Sequence, residues 1–379
     1  MIAEKEKKEI ELLTNPQESP CVSIIFPTHT RYPHFKEDQQ KLKKMLQKAE
    51  EYLGLNYAEA TAMPINNKIY AEANSIDFNF HSRSKGLGIF VSPDTAKIVH
   101  FPFPVKEKIV IGSNFETRDI ILADSYQLDY WVLCLNERAL RLFKGKGMEI
   151  VEVKDNTFPT EFVDDFAEPK SSRGNSFGYS LKGVKDKSLI KEERFTAFLR
   201  IIDKKLQSYL DLNLKSKLIL SGVKKNINYF EKISEHRDKV IAKVDGNHDY
   251  ENLKIFSDLV WEQVIDYRAN ENEKIFKQFV DAFDTGWTAW GIESVWKAAM
   301  EGKGLTLLVE KDFSHAGFLG KNEYKLLHHP PASLHKIITD AVDDVIEIIL
   351  KKGGNVIFLE NGKLNEYNNI GLILRYKAI

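Results

Sequence analysis

Lysine and arginine are concentrated in one stretch of this 379-residue chain, residues 170–225. The stretch holds fourteen Lys and Arg against five Asp and Glu, a local charge of +9 in a chain of formal net charge −1. Its cations are Lys170, Arg173, Lys182, Lys185, Lys187, Lys191, Arg194, Arg200, Lys204, Lys205, Lys215, Lys217, Lys224 and Lys225. Such clustering creates the field that a phosphate-rich RNA requires. We call residues 170–225 the basic segment and expect RNA contact, against the alternative of a solvated helix face and a loop.

The first part of this region, residues 164–187, is rich in Ser, Gly and Lys and is predicted to be irregular. We call it the basic loop. The cations that it offers to RNA are Lys170, Arg173, Lys182, Lys185 and Lys187. Two aromatic residues of the same loop, Phe177 and Tyr179, suit stacking on exposed RNA bases, or they anchor the loop to its own domain.

Three histidines, His328, His329 and His335, raise the question of a metal site. The adjacent pair precedes two prolines and does not present a common face, and no cysteine or carboxylate set completes four ligands. The sequence therefore favours a surface loop, and we expect neither a metal nor another cofactor.

Acidic residues raise a second chemical hypothesis, a two-metal nuclease built from converging carboxylates. Asp129, Glu137 and Asp245 are the candidates, but their spacing matches no known arrangement. No Ser-His-Asp or Cys-His signature, phosphate-binding loop or dinucleotide fingerprint is present. The sequence therefore predicts no catalytic residues.

The pattern of apolar residues predicts three α/β domains, residues 1–125, 126–250 and 251–379. The first combines a strand at residues 22–26, a helix at 35–53 and a hairpin at 86–101. In the second, strands at 129–135, 139–143 and 149–153 precede a helix at 192–210 and a buried strand at 217–222.

In the third domain, amphipathic helices at 253–270 and 273–284 precede an α-β-α-β succession. That order is typical of a three-layer α/β/α arrangement.

The remaining composition indicates a cytoplasmic protein. Cys21 and Cys134 each lie in an apolar run, as buried free thiols of a reducing compartment do. The N-terminus lacks the apolar stretch of a signal peptide, and no run approaches the ~18 apolar residues of a membrane span. We expect no membrane partner.

Four segments in order resemble the archaeo-eukaryotic class-1 peptide chain release factor and Pelota superfamily, in its bacterial, Balon-like branch. Residues 291–309 are similar to its "helix, ALExGAV, strand" segment, and residues 353–376 to its closing GGIxxILRY. Residues 217–222, KLILSG, resemble the LILAGS strand, and residues 239–245 parallel the linking strand that follows it. Order and spacing agree over residues 126–379, whereas the first 125 residues agree only in pattern.

The resemblance implies an N-terminal α/β domain, an RNase H-like middle domain and a C-terminal domain of the kink-turn-binding ribosomal-protein type. In this family the middle domain sends a GGQ loop into the peptidyl transferase centre, and the N-terminal domain faces the decoding site through a NIKS motif. The C-terminal domain meets a translational GTPase.

The chain departs from the family at both motifs. Where the GGQ loop is expected it has Arg173, Gly174, Asn175 and Ser176, without the second glycine or the glutamine. Between Pro27 and Phe35 there is no NIKS motif. Neither family hydrolysis nor stop-codon reading therefore carries over.

The resulting hypothesis is a non-enzymatic ribosome-binding factor for the A site of stalled or idle ribosomes, in rescue or hibernation. Its expected partners are ribosomal RNA, tRNA and a translational GTPase, and its RNA-binding residues are Lys170, Arg173, Gly174, Asn175, Ser176, Lys182, Lys185 and Lys187. The alternatives are a peptidyl-tRNA hydrolase with an altered loop and an RNA-binding protein that works away from the ribosome through its C-terminal domain.

Overall fold

The computed structural model describes residues 18–29, 35–78, 84–136, 138–162, 187–211, 216–248, 252–283, 285–332 and 335–377. The chain divides into two compact units. The first combines Met1–Tyr126 with Asn270–Ile379, and the second is Gln127–Ala269. The division into three domains near residues 126 and 250 stays a prediction.

The described residues form a mixed α/β structure with several sheets, as the sequence predicts. In chain order the helices and strands are β1 (Cys21–Pro27), α1 (Phe35–Asn56), α2 (Glu59–Ser75), β2 (Gly86–Val91), β3 (Ala96–Phe101), β4 (Lys108–Gly112), α3 (Arg118–Ser125), β5 (Asp129–Leu135), β6 (Leu140–Lys146), β7 (Glu149–Glu152), α4 (Lys187–Leu210), β8 (Lys217–Gly222), α5 (Lys224–Ile233), β9 (Val240–Asp245), α6 (Leu253–Asp281), β10 (Thr288–Trp290), α7 (Ile292–Met300), β11 (Gly304–Glu310), β12 (Gly317–Leu319), β13 (Leu326–Leu327), β14 (Lys336–Ile338), α8 (Ala341–Lys351), β15 (Asn355–Leu359) and β16 (Ile370–Leu374). No described helix is both long enough and apolar enough to cross a bilayer.

The N-terminal part of the first unit, residues 18–126, is built on an antiparallel sheet of order β3-β2-β1-β4. Strand β1 alternates its side chains between two cores, as the two-residue period of a strand requires. Val22, Ile24 and Phe26 pack with helices α1 and α2. Cys21 and Ile25 lie in the cluster on the other face, which also contains residues of α3.

The C-terminal part of the first unit, residues 270–377, has a four-stranded sheet of order β10-β16-β11-β15. Only β11 and β15 run parallel. Helices α7 and α8 cover one face through residues such as Val295 and Val345. Phe279 of α6 packs on Leu308 at the other face. The core is therefore three-layered, as the sequence predicts.

The second unit contains a five-stranded sheet of order β7-β6-β5-β8-β9. The pairs that join β5 to β6 and β6 to β7 are antiparallel, whereas β8 is parallel to both β5 and β9. Trp131, Leu133 and Leu135 of β5 face a core shared with α4 and α5. The sheet ends at Asp245 and does not continue into the C-terminal part.

Two features of the α6 to β14 region differ from the sequence-based expectation. The two helices predicted at 253–270 and 273–284 are one helix, α6, because residues 269–273 (ANENE) contain neither glycine nor proline to interrupt it. Strands β12, β13 and β14 form a small three-stranded sheet that the sequence pattern did not reveal, since each is only two or three residues long.

Candidate nucleic-acid interface

The predicted RNA-binding residues fall almost entirely outside the described part of the chain. Lys170, Arg173, Gly174, Asn175, Ser176, Lys182 and Lys185 lie there, together with Phe177 and Tyr179. Lys187 is the first residue of helix α4. The RNA-binding role of these residues stays a prediction, and the rest of the basic segment can be examined directly.

Helix α4 has a buried stripe that fixes which of its faces meets solvent. The stripe consists of Phe195, Leu199, Ile202, Leu206 and Leu210, at helical spacings of three and four. These side chains pack in the core shared with β5, β8 and α5. The residues of α4 that meet solvent lie away from this stripe, among them Arg200, Lys204 and Lys205.

Two acids of α4, Glu192 and Asp203, have partners within the unit. Glu192 accepts hydrogen bonds from Lys225 and from the Tyr229 hydroxyl, the latter at 2.7 Å. The hydrogen bond from Lys225, and then that from Tyr229, lowers the pKa of Glu192. The contacts tie α4 to α5.

Asp203 is buried, with only 4% of the residue exposed. Its carboxylate accepts from the Ser234 hydroxyl at 2.6 Å and from the Glu235 backbone N–H at 2.9 Å. Asp203 thus holds the segment that follows α5. Its negative charge is turned into the fold, away from any ligand on the outer face of α4.

Three cations on the outer face of α4, Arg200, Lys204 and Lys205, are exposed. No carboxylate among the described residues forms an ion pair with any of the three. We call Arg200, Lys204 and Lys205 the outer cations. Unpaired cations on a regular helix can neutralise phosphates with little rearrangement, which makes this face the described part of a candidate RNA interface.

The outer cations belong to the basic segment, but they were not among the RNA-binding residues predicted from the sequence. Their spacing along the chain is enough to predict that they lie on the surface of a helix. Positions 200, 204 and 205 avoid the buried stripe, so a helical projection separates them from the core residues. What the sequence could not reveal is that Glu192 and Asp203 are bound elsewhere.

The nuclease hypothesis is wrong for the pair that the structure describes. Asp129 begins β5 and Asp245 ends β9, and the strand register aligns Asp245 with Gly222, one residue beyond the Cys134–Ser221 pair. Six residues of strand therefore separate the two acids along the sheet, roughly 20 Å. Glu137 lies outside the described residues. Among those described, no group of three His, Cys, Asp or Glu side chains suits a metal ion.

A cavity of about 520 Å³ lies in the C-terminal part of the first unit, at the N-terminus of helix α7. It is lined by Trp290, Gly291, Ile292, Glu293, Ser294, Phe313, His315, His328, Asn368 and Asn369. Gly291, the N-cap residue of α7, has φ +72°, a conformation that favours glycine, and it makes no side-chain hydrogen bond to the helix. His328 Nε2 lies 2.5 Å from Glu293 Oε1.

The histidines that suggested a metal site are exposed, as a surface loop predicts. His328, His329 and His335 all lie at the surface, and only His328 borders the cavity. His315, which the sequence did not single out, has a buried Nδ1 without a hydrogen-bond partner among the described residues. The cavity thus combines aromatic walls with polar atoms.

Three solved structures similar to this chain have low sequence identity and low structural overlap. Archaeoglobus fulgidus Pelota is 14% identical, with 78% of this chain and 79% of that chain covered at a TM-score of 0.39. Saccharomyces cerevisiae Dom34 is 17% identical, with 77% and 80% covered at a TM-score of 0.36. The C-terminal domain of a Methanosarcina mazei peptide chain release factor is 20% identical, with 35% and 99% covered at a TM-score of 0.28.

Sequence comparison is more specific. No curated protein matches the chain. Residues 129–303 match the family described as bacterial archaeo-eukaryotic release factor family 3. The match includes all of the basic segment and confirms the resemblance over residues 217–222, 239–245 and the first part of 291–309. Over residues 129–303 the chain is therefore similar to the bacterial archaeo-eukaryotic release factors.

Proposed function

We propose that the chain is a ribosome-binding translation factor of release-factor type. It binds the A site of stalled or idle ribosomes in the cytoplasm and does not read stop codons. The observation that carries the proposal is the family match over residues 129–303, because this stretch contains the whole basic segment. A translational GTPase is a further partner, through the C-terminal part.

The second unit supplies the physical support for this proposal. Its buried Asp203 and its surface acid Glu192 are both hydrogen-bonded within the unit, whereas the outer cations carry no ion pair within the described part of the unit. The strand order, with two antiparallel pairs followed by two parallel strands, supports an RNase H-like assignment. A rigid sheet with a cationic helix suits docking on a folded RNA surface.

The test is co-sedimentation of the purified full chain with bacterial ribosomes at increasing salt. We expect that R200A/K204A/K205A weakens binding roughly tenfold or more and reduces the slope of log affinity against log salt. The matched control is K43A/K44A/K48A, which removes three exposed lysines from helix α1. Equal binding by wild type and the α4 variant would count against α4 as an RNA-binding face, and no binding by the wild type would overturn the proposed function.

The hydrolase alternative is decided by a peptide-release assay on ribosomes that carry peptidyl-tRNA. Asn175 stands where the family has the second glycine and the glutamine that position water, so we expect no release above the rate without protein. Release that is lost in Asn175→Ala would replace the binding factor by a peptidyl-tRNA hydrolase.

The second candidate function, RNA binding away from the ribosome, is favoured by the cavity of the C-terminal part. Trp290 and Phe313 provide surfaces for base stacking, and Glu293 and Asn369 provide hydrogen-bonding groups. Trp290→Ala separates the two candidates. If the chain acts on the ribosome through α4, this variant keeps ribosome binding, whereas an RNA-binding module of the C-terminal part loses its affinity for free RNA.

A further inference from the structure

Helix α3 lies between two cores of the first unit. Ile120 and Ala123 belong to the cluster under the N-terminal sheet. Ile121 and Leu122 belong to the main cluster of the C-terminal part. The helix is only eight residues long, yet adjacent residues contact different cores. Helix α3 therefore joins two parts of the unit that have separate sheets.

Arg118, the first residue of α3, makes the principal polar contact across this junction. Its side chain is 7% exposed. Nε donates to Asp343 Oδ1 at 2.7 Å, and one terminal nitrogen donates to Asp340 Oδ2 at 2.8 Å. The other terminal nitrogen donates to the Phe313 carbonyl at 2.5 Å. All three acceptors lie in the C-terminal part, more than 190 residues away along the chain.

The carboxylates that hold Arg118 also organise the start of helix α8. Asp340 is the N-cap residue of α8, and its Oδ1 accepts from the Val342 N–H at 2.9 Å. The same oxygen accepts from the His315 N–H at 3.3 Å. Substitution of Arg118 therefore alters contacts at the N-terminus of α8 and in the segment that contains Phe313.

Charge is not balanced in this cluster. One guanidinium faces two carboxylates whose side chains are 22% and 18% exposed, Asp340 and Asp343. Glu116 adds a further negative charge on the side of the N-terminal part. Burial, opposed by Arg118 and reinforced by Asp340 and Glu116, raises the pKa of Asp343 to about 7.

Other charged groups around the cluster are engaged with different partners. Lys108 binds Glu116 at 3.0 Å and Asp119 at 3.3 Å. Lys336 and Lys351 act on Asp344, the next acid of α8. The described cation that contacts Asp343 is therefore Arg118.

We propose that Arg118, Asp340 and Asp343 form a proton-controlled latch that fastens helix α3 to the C-terminal part. When Asp343 holds a proton, the negative charge of Asp340 balances the positive charge of Arg118, and the latch is closed. When Asp343 loses the proton, an excess negative charge is trapped in the junction. Opening places that charge in water and lets the two parts separate.

Other polar contacts also cross the junction, among them Lys106 with Asp312 and Lys311 with Tyr126. Lys106 pairs with Asp312 at 3.0 Å, but the two side chains are 68% and 47% exposed. Exposed ion pairs of this kind contribute little to stability and are screened by salt. Apolar contacts of Ile121 and Leu122, and of the partly buried Phe103 and Tyr126, add to the attachment.

The direction of the pH effect follows from linkage. The closed state holds its proton up to a pKa of about 7, whereas an Asp343 exposed by opening returns toward the ordinary Asp value of 3.8. Between these two values the closed state binds more protons than the open state, so a rise in pH favours opening. The shift toward the open state is essentially complete once the pH exceeds the pKa of Asp343 in the closed state.

Amide hydrogen exchange of the full chain tests the latch. Protection of residues 118–125 is compared with that of β1 at each pH, which removes the intrinsic pH dependence of exchange. In the wild type we expect this relative protection to fall roughly tenfold to thirtyfold between pH 5.5 and pH 8. A ratio that does not change with pH would overturn the proposal.

Asp343→Asn is the decisive variant, because its amide oxygen still accepts from Arg118 Nε and cannot ionise. It should keep residues 118–125 protected at pH 8 to the level that the wild type shows at pH 5.5. Asp344→Asn removes the same charge one residue later and should retain the wild-type pH dependence. An Asp343→Asn protein with the wild-type pH dependence contradicts the latch, as does an Asp344→Asn protein that loses it.

Arg118→Gln supplies an independent measurement. The amide cannot span both carboxylates, so residues 118–125 should be weakly protected at both pH values while β5 and β8 of the second unit remain protected. Wild-type protection in this variant would show that Arg118 does not hold the junction. Asp343→Asn keeps Arg118 in place and decides the proposal even where Arg118→Gln fails to fold.

Discussion

Two regions of this chain use cations in opposite ways. In the first unit, Arg118 is almost fully buried and donates to two carboxylates and a carbonyl. In the second unit, Arg200, Lys204 and Lys205 are exposed and unpaired within the described residues, while the nearby acids Glu192 and Asp203 have partners within the unit. The difference shows that local net charge does not identify a binding face. A binding face is identified by the charged side chains that have no ion-pair partner within the fold.

The largest expected effect comes from making the same change in both regions. Arg118→Leu leaves Asp340 and Asp343 without a counterion and should lower the free energy of unfolding by about 3 kcal/mol. Arg200→Leu removes an exposed cation and should change it by about 0.5 kcal/mol or less. Urea unfolding followed by circular dichroism measures both, and similar losses would erase the distinction between the two regions.

A second prediction extends the comparison to the basic loop. Replacing Lys182, Lys185 and Lys187 with alanine should weaken ribosome binding by roughly tenfold to a hundredfold near physiological salt, since up to three phosphate contacts are lost. The dependence of affinity on salt should flatten accordingly. The fold should survive, because a sequence rich in Gly, Ser and Lys supplies few apolar side chains to a core.

Co-sedimentation over a salt series measures this loss, and K43A/K44A/K48A is again the charge-matched control. Unchanged affinity together with an unchanged salt slope would transfer the role of RNA contact from the basic loop to α4 or to the C-terminal part.

The third prediction concerns an acid that the second unit uses internally. Asp203→Ala leaves the Ser234 hydroxyl and the Glu235 N–H without an acceptor and should destabilise the unit by about 1–3 kcal/mol. Asp203→Asn retains one oxygen acceptor and should cost less. Ribosome affinity measured below the melting temperature should be unchanged by either variant, because Asp203 faces the core. A marked gain in affinity would show that its charge reaches the outer face.

The sequence predicted the elements that rest on local signals. Helix α8 and strand β15 have the predicted limits, because Asp340 caps an amphipathic run and Gly353, at φ +70°, ends it. Strand β1 and the β2–β3 hairpin were likewise evident from apolar runs around a turn. Helix α2 was not predicted, and it contains Pro64, a residue that normally interrupts helices.

Features that depend on distant residues could not be predicted. Arg118 and Asp340 are separated by 222 positions, so nothing in the sequence around either residue indicates the pair. The same holds for Asp203 and Ser234, which meet only because α4 and α5 pack together. The basic segment was visible from composition, but its division into engaged and available charges required the fold.

The smallest expected effect, and the sharpest check of the comparison, is at Glu192. Glu192→Gln removes the ion pair with Lys225 and one negative charge from the surface of the second unit. Ribosome affinity should rise about twofold to fivefold and the salt dependence should steepen slightly.

Glu192→Gln should lower the stability of the fold only slightly, since the pair of Glu192 and Lys225 is exposed. The loss of stability should depend on pH. Because its hydrogen bonds lower the pKa of Glu192, the carboxylate stabilises the fold above its ordinary pKa of 4.5. This stabilisation is lost as the pH falls through the lowered pKa. The difference in melting temperature between wild type and Glu192→Gln should therefore be present at pH 7 and disappear in acid. If the affinity for ribosomes falls instead, Lys225 does not contact RNA. The contact with RNA is then assigned to the outer cations and the basic loop.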